Sequence, residues 1–223
     1  MKRLLLALFL LSGCAPVLTE PERASATLPF DRVSFYPLEA GVSWEYLEDG
    51  ERVDAPRLFR ENLGPSVLGG QRYSLVRTFG RGHDSLLYYV ADRQGVRLAR
   101  EERGGLVFLY NPPMKVMSFT TEGELAASWS GESEVSGFLG DQELDPVSLR
   151  YRYSVVDRRP VVVEGVTFDA AIIAQQVVRQ SGGRPRQYNA NSWFVPFYGE
   201  VRSSSGGVLV ETNLPYPRQA LRE

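Results

Sequence analysis

Glycine-bearing turn signals punctuate the first half of this chain too densely for long helices to fit between them. Glu48-Asp49-Gly50, Leu68-Gly69-Gly70, Gly80-Arg81-Gly82, Asp92-Arg93-Gln94-Gly95 and Arg103-Gly104-Gly105 set this rhythm, and Ser181-Gly182-Gly183 and Ser205-Gly206-Gly207 repeat the signal later. A spacing of roughly ten residues predicts consecutive antiparallel hairpins. The runs between the signals alternate accordingly. In Val147-Ser148-Leu149-Arg150-Tyr151-Arg152-Tyr153-Ser154-Val155 every second side chain is apolar, which sends one face to a core and the other to water. Gln71 to Phe79, Ser85 to Ala91, Val96 to Glu102 and Leu106 to Tyr110 continue the pattern less strictly.

Two segments are less clear. Phe168 to Gln180 satisfies a helical stripe about as well as a buried strand, and Val161-Val162-Val163 before it and the glycine pair after it point to strand. Gly123 to Trp129 reads as a short helical turn. No repeat of 20–50 residues is visible, which argues against a propeller or solenoid. The expected fold is mainly β: a single curved antiparallel sheet, a half-barrel or open barrel of roughly ten strands, with little helix. Such a sheet must close or cover its concave face.

The amino terminus carries a different kind of information. Lys2 and Arg3 supply a positive start, Leu4 to Leu11 an apolar run, Ser12 and Gly13 small residues, and Cys14 the chain's one cysteine. The apolar run spans about 12 Å as a helix against a bilayer core of roughly 30 Å, so it is too short for a membrane anchor. Leu11-Ser12-Gly13-Cys14 resembles the lipobox of bacterial lipoproteins: an aliphatic residue, a small residue, Gly or Ala, then Cys. That resemblance implies a diacylglycerol thioether on Cys14, cleavage before it, acylation of the new amino terminus, and contact with the lipoprotein-processing enzymes. The alternative is an ordinary cleaved signal with a chance cysteine. Ala15 stands where an Asp favours inner-membrane retention in many such proteins, so the resemblance leans towards the outer membrane.

Residues 1–13 are thus expected as a signal peptide, 14–32 as a lipidated start and tether, 33–213 as the β domain and 214–223 as a tail. Loss of Lys2 and Arg3 takes the formal charge from -2 to -4. A weakly acidic chain without a basic block is a poor partner for nucleic acid or for electrostatic membrane adhesion, leaving lipid as the attachment. With a single cysteine there is no internal disulfide, and the fold rests on its core.

The domain opens with Phe35-Tyr36-Pro37-Leu38-Glu39-Ala40-Gly41-Val42-Ser43-Trp44-Glu45-Tyr46 and nears its end with Trp193-Phe194-Val195-Pro196-Phe197-Tyr198-Gly199-Glu200-Val201-Arg202. Both read as core-forming corners. The pair resembles a group of bacterial envelope lipoproteins that open on Pro-Leu-x-x-Gly-x-x-Trp-x-Tyr and close on Trp-Tyr/Phe-x-Pro-x-x-Gly-x-Val. These are similar to the LolA/LolB type of half-barrel with a greasy concave face. In one reading Trp44, Tyr46, Trp193 and Phe194 line a cavity for an acyl chain or other apolar ligand; in the other they fill the sheet's own core.

No catalytic or metal-binding pattern emerges. His83, the one histidine, lies beside Asp84 in a turn, where adjacent side chains do not easily form a serine-histidine relay. Asp141, Glu143 and Asp145 alternate like the start of a calcium loop, but Pro146 and Arg152 stand where that loop wants Gly and Glu. Pro112 stands three residues before Lys115, so no Ser-x-x-Lys exists, and Gly-x-Ser-x-Gly is absent too. The expectation is a lipid-anchored envelope protein without catalysis or cofactor, binding an apolar ligand or an envelope protein. The alternatives are a fully packed structural or assembly accessory and, third, a hydrolase built on paired carboxylates.

Overall fold

The computed structural model describes residues 36–163, 166–181 and 184–214. Every regular element among them is a strand: β1 (Ser43–Glu48), β2 (Leu58–Leu68), β3 (Gln71–Gly80), β4 (His83–Asp92), β5 (Gly95–Arg103), β6 (Leu106–Ser118), β7 (Ser128–Leu139), β8 (Gln142–Val163), β9 (Val166–Ser181), β10 (Arg184–Val195), β11 (Gly199–Arg202) and β12 (Gly207–Thr212). Each strand pairs antiparallel with its sequence neighbours, and β1 pairs with β12 to close a barrel. The expected single antiparallel sheet is therefore present, with twelve strands and full closure.

The glycine signals do the turning. Gly69 and Gly70 (φ 58° and 79°) and Gly104 and Gly105 (φ 59° and 79°) occupy two-residue hairpin turns that require left-handed backbone, which glycine adopts without a Cβ penalty. Phe168 to Gln180 lies within β9, paired with β8 along its length. The helical turn expected over Gly123 to Trp129 does not form. The Gly123 amide donates to the Thr120 carbonyl (3.0 Å) and the Thr120 amide to Glu124 (2.8 Å), a tight turn sealed by a Phe119–Leu125 bridge, and Trp129 already belongs to β7.

One seam departs from the regular ladder. Pro112 and Pro113 lie within β6 and have no amide hydrogen to donate, and the β6–β7 pairing stops at Asn111–Glu134. Beyond that point side chains take over. The Trp129 indole donates to the Lys115 carbonyl (3.1 Å), the Lys115 amide donates to the Tyr151 hydroxyl (3.1 Å), and Ser133 Oγ donates to the Pro112 carbonyl (2.8 Å). Tyr151 can approach because Gly131 faces it: a Cβ there would sit 2.3 Å from the phenol oxygen.

The interior is solid towards the end where β6 and β7 connect. Val76, Tyr89, Leu98, Met117, Trp129, Tyr153 and Ile173 pack there, with Trp129 stacked on Tyr153 (5.2 Å between centroids, 9° between planes). Tyr36, from the segment before β1, reaches into this cluster and stacks on Phe194. A second cluster, including Trp44, Tyr46, Val195, Tyr198 and Leu209, forms at the corner where β10 turns into β11.

Candidate functional site

Directly paired residues on neighbouring strands point to the same face, so the register identifies the side chains that share the interior with the core. Tyr89 pairs with Leu98, and two further steps along the same strands Leu87 pairs with Glu101 and Ser85 with Arg103. From there the face passes to Phe108 on β6, through Tyr110 to Val135 on β7, to Val147 and Leu149 on β8, and to Arg179 on β9. On β10 it continues through Arg186, opposite Arg179, and Arg184, opposite Ser181.

These positions make the far end of the barrel hollow. Phe108, Tyr110, Val135, Val147 and Leu149 wall a cavity of about 100 Å³, with Glu101, Arg103 and Arg179 beside them. Arg179 also borders a wider concavity of about 400 Å³, whose other walls are Ser181, Arg184, Arg186 and Tyr188. The cavity is therefore apolar inside and cationic at its mouth. Glu101 is the one acid among the described lining residues; it accepts the Tyr110 hydroxyl (3.2 Å) and stands 4.0 Å from Arg103. Burial, reinforced by Glu101, pushes the Tyr110 phenol up, so it stays a neutral donor. Arg179, Arg184 and Arg186 form no ion pair with any described acid.

A second polar cluster sits deeper. The Arg60 guanidinium lies 3.3 Å from the Glu200 carboxylate, donates to the hydroxyls of Tyr36 and Tyr89 (3.4 Å to Tyr89), and rests over the rings of Tyr36 (5.1 Å) and Trp44 (5.9 Å). Burial holds the Tyr36 and Tyr46 phenols well above their usual range, against the pull of Arg60. The free space here is about 10 Å³, room for one water at most, so this cluster is packed rather than receptive.

The four aromatic residues singled out in the sequence gather near this cluster rather than at the hollow end. Trp44 and Tyr46 are buried; the Trp44 indole donates to the Tyr198 carbonyl (2.7 Å) and the Tyr46 hydroxyl to the Glu200 carbonyl (2.9 Å). Phe194 is buried against Tyr36, and Trp193 lies under the Arg202 guanidinium (5.5 Å). The two aromatic stretches thus hold each other. Leu11, Ser12, Gly13 and Cys14 lie outside the described residues. His83 is exposed at the start of β4, and Asp84 accepts from Nε and Nη2 of Arg77 (3.0 and 2.9 Å), not from the imidazole. Asp141 falls in the β7–β8 turn and Glu143 and Asp145 on β8, all exposed.

Sequence reading missed Arg60, Glu200 and the arginine mouth. The mouth had a usable signal: with Ser181 paired to Arg184, the alternation of the two strands puts Arg179, Ser181, Arg184, Arg186 and Tyr188 on one face.

No protein-family model and no curated protein matches the chain. Three solved structures resemble it in arrangement. One is a proposed lipoprotein from Parabacteroides distasonis ATCC 8503, with 12% identity, TM-score 0.41, and coverage of 80% of this chain and 97% of that one. Another is a proposed exported protein with YmcC-like fold from Bacteroides fragilis NCTC 9343, with 9% identity, TM-score 0.45, and coverage of 80% and 98%. The third is the hypothetical lipoprotein YmcC from Escherichia coli K12, with 10% identity, TM-score 0.40, and coverage of 84% and 91%.

Proposed function

We propose that this chain is a lipid-anchored lipoprotein of the cell envelope, on the outer membrane, whose β domain is a non-catalytic binding module for an apolar ligand. The lipobox at Leu11 to Cys14 supports the address, and Ala15 the choice of membrane. The observation that carries the binding role is the uneven filling of the barrel. Aromatic side chains pack one end, while Phe108, Val135, Val147 and Leu149 are left lining an open cavity at the other. Apolar surface kept open to solvent forgoes roughly 25 cal/mol per Å² of burial that better-filled packing would recover. A ligand that covers it regains that energy, which is the physical basis of most small-molecule sites.

A structural or assembly role is the second reading, favoured by the packing of Trp44, Tyr46 and Phe194 into the core. Native mass spectrometry of the protein purified from its own membranes separates the two. Retained acyl-chain masses removable by delipidation are expected for the binding module. Protein that carries only its covalent lipid, and takes up no added fatty acid or fatty alcohol, would overturn it.

A further inference from the structure

Three arginines on one inward-facing sheet surface, with no acid paired to them among the described residues, form an unusual surface for a chain of net negative charge. Acids elsewhere on this barrel are generally used: Arg77 holds Asp84, Arg97 holds Asp92, Arg81 holds Glu51 and Arg159 holds Asp157. At the hollow end Arg179, Arg184 and Arg186 stand together without such partners, and Arg103 faces them across the cavity with Glu101 4.0 Å away. Hairpin register enforces this grouping, because Arg186 is the direct partner of Arg179 and Arg184 that of Ser181. Like charges directly opposite each other on a sheet repel, so the arrangement is improved by an anion between them.

We infer that the hollow end takes an anionic amphiphile. Its carboxylate or phosphate head is held by Arg179, Arg184 and Arg186 at the mouth, and its apolar chain enters between Val135, Val147 and Leu149. The guanidinium fork matches both oxyanions with two parallel hydrogen bonds, a fit that ammonium lacks. The outer concavity, about 400 Å³, is of the size small-molecule sites occupy. The Ser181 hydroxyl and the half-exposed Tyr188 ring complete a rim that offers donors to the head and an apolar flank to the first carbons. Glu101 lines the same cavity, and its carboxylate is engaged by the Tyr110 hydroxyl (3.2 Å) and by Arg103 (4.0 Å), which offsets part of its charge. This inference rests on the binding role proposed above and adds the sign and position of the ligand's charge.

The test uses the full lipidated chain in mild neutral detergent, with native mass spectrometry reading retention of an 18-carbon fatty acid, the 18-carbon alcohol, phosphatidic acid and phosphatidylcholine. Wild type is expected to retain the fatty acid or phosphatidic acid at least tenfold more tightly than the uncharged or zwitterionic counterpart. Retention of the acid alone identifies a carboxylate head, and of phosphatidic acid alone a phosphate head. The double variant Arg184→Glu, Arg186→Glu lies at exposed positions and is expected to lose that preference while melting like the parent. Leu149→Trp, which fills the cavity from the other side, is expected to weaken retention with the arginines in place. Equal retention of fatty acid and alcohol would overturn the anionic head while leaving the apolar site standing. Retention of none of the four would overturn both, and an unchanged preference in the charge-reversed variant would overturn the arginine assignment.

Discussion

Arg60 on β2 and Glu200 on β11 meet at 3.3 Å although 140 residues separate them, and β1 and β12 run between their strands. The pair therefore braces from inside the place where the first and last strands close the barrel. It is also nearly dry, with side-chain exposures of 14% and 18%. Removing one partner strands the other in low dielectric. Arg60→Ala is expected to cost about 2–4 kcal/mol in chemical denaturation, the residual exposure keeping it below the fully buried case. Arg60→Met combined with Glu200→Leu should lose less than either single change. Strict additivity of the two in a double-mutant cycle would show that they do not act as a pair.

Gly131 is set by its neighbour. A methyl group there meets the Tyr151 hydroxyl at 2.3 Å, and that tyrosine is buried and bonded to the Lys115 amide. Gly131→Ala is expected to destabilise the domain by about 1–3 kcal/mol through overpacking. Tryptophan fluorescence should shift as well, because the indole of Trp129 shares the Lys115 backbone with Tyr151. A wild-type midpoint and spectrum would mean that the seam is looser than described.

Lipid on Cys14 is expected to hold the protein on membranes. After Cys14→Ala the chain should leave the sedimented membrane fraction, which fractionation and immunoblotting detect. A variant that sediments like the parent would place the attachment elsewhere.

Asp92 gives a pH dependence of known sign. Burial works to raise its carboxyl, but hydrogen bonds from Arg97 (2.6 Å) and the Gln94 amide (2.8 Å) outweigh it and hold the group below the usual aspartate range. A carboxylate depressed in the folded state stabilises it above the unfolded value, near 4, and that contribution fades as pH falls through the folded value. The stability gap between wild type and Asp92→Asn should therefore be widest at neutral pH and shrink below about pH 4. A gap that stays constant under acid titration would mean that Asp92 acts by packing alone.

Much of the strand pattern was legible. The alternation over Val147 to Val155 became the central part of β8, and the glycine pairs at 69–70 and 104–105 became hairpin turns, because both signals are local. Closure was not legible, since it depends on Trp44 meeting Thr212 and Tyr46 meeting Leu209, and no local period encodes such partners. The same limit explains the aromatic corners. Sequence marked both stretches as packing elements, yet only the folded chain shows the Trp44 indole on the Tyr198 carbonyl. Arg60 escaped notice because β2 mixes charged, polar and apolar residues without a clean alternation, and a charged side chain ordinarily signals the outer face. The arginine mouth was readable in principle, but exposed arginines near a turn look like solubilising residues until the register shows that they face inward.

The clasp between the first and last strands also dictates when the domain can fold. The Ser43 amide donates to the Asn213 side chain (2.8 Å), whose amide in turn donates to the Gly41 carbonyl (2.7 Å), contacts that span about 170 residues of sequence. Until β12 has been synthesised, β1 lacks one of its two neighbours, and nothing yet links the strand that carries Arg60 to the strand that carries Glu200 across the closure. Pairings of such long range close late, since their entropy cost falls due before any contact rewards it. A barrel of this design stays open until β12 appears, an order of events that agrees with the export proposed above.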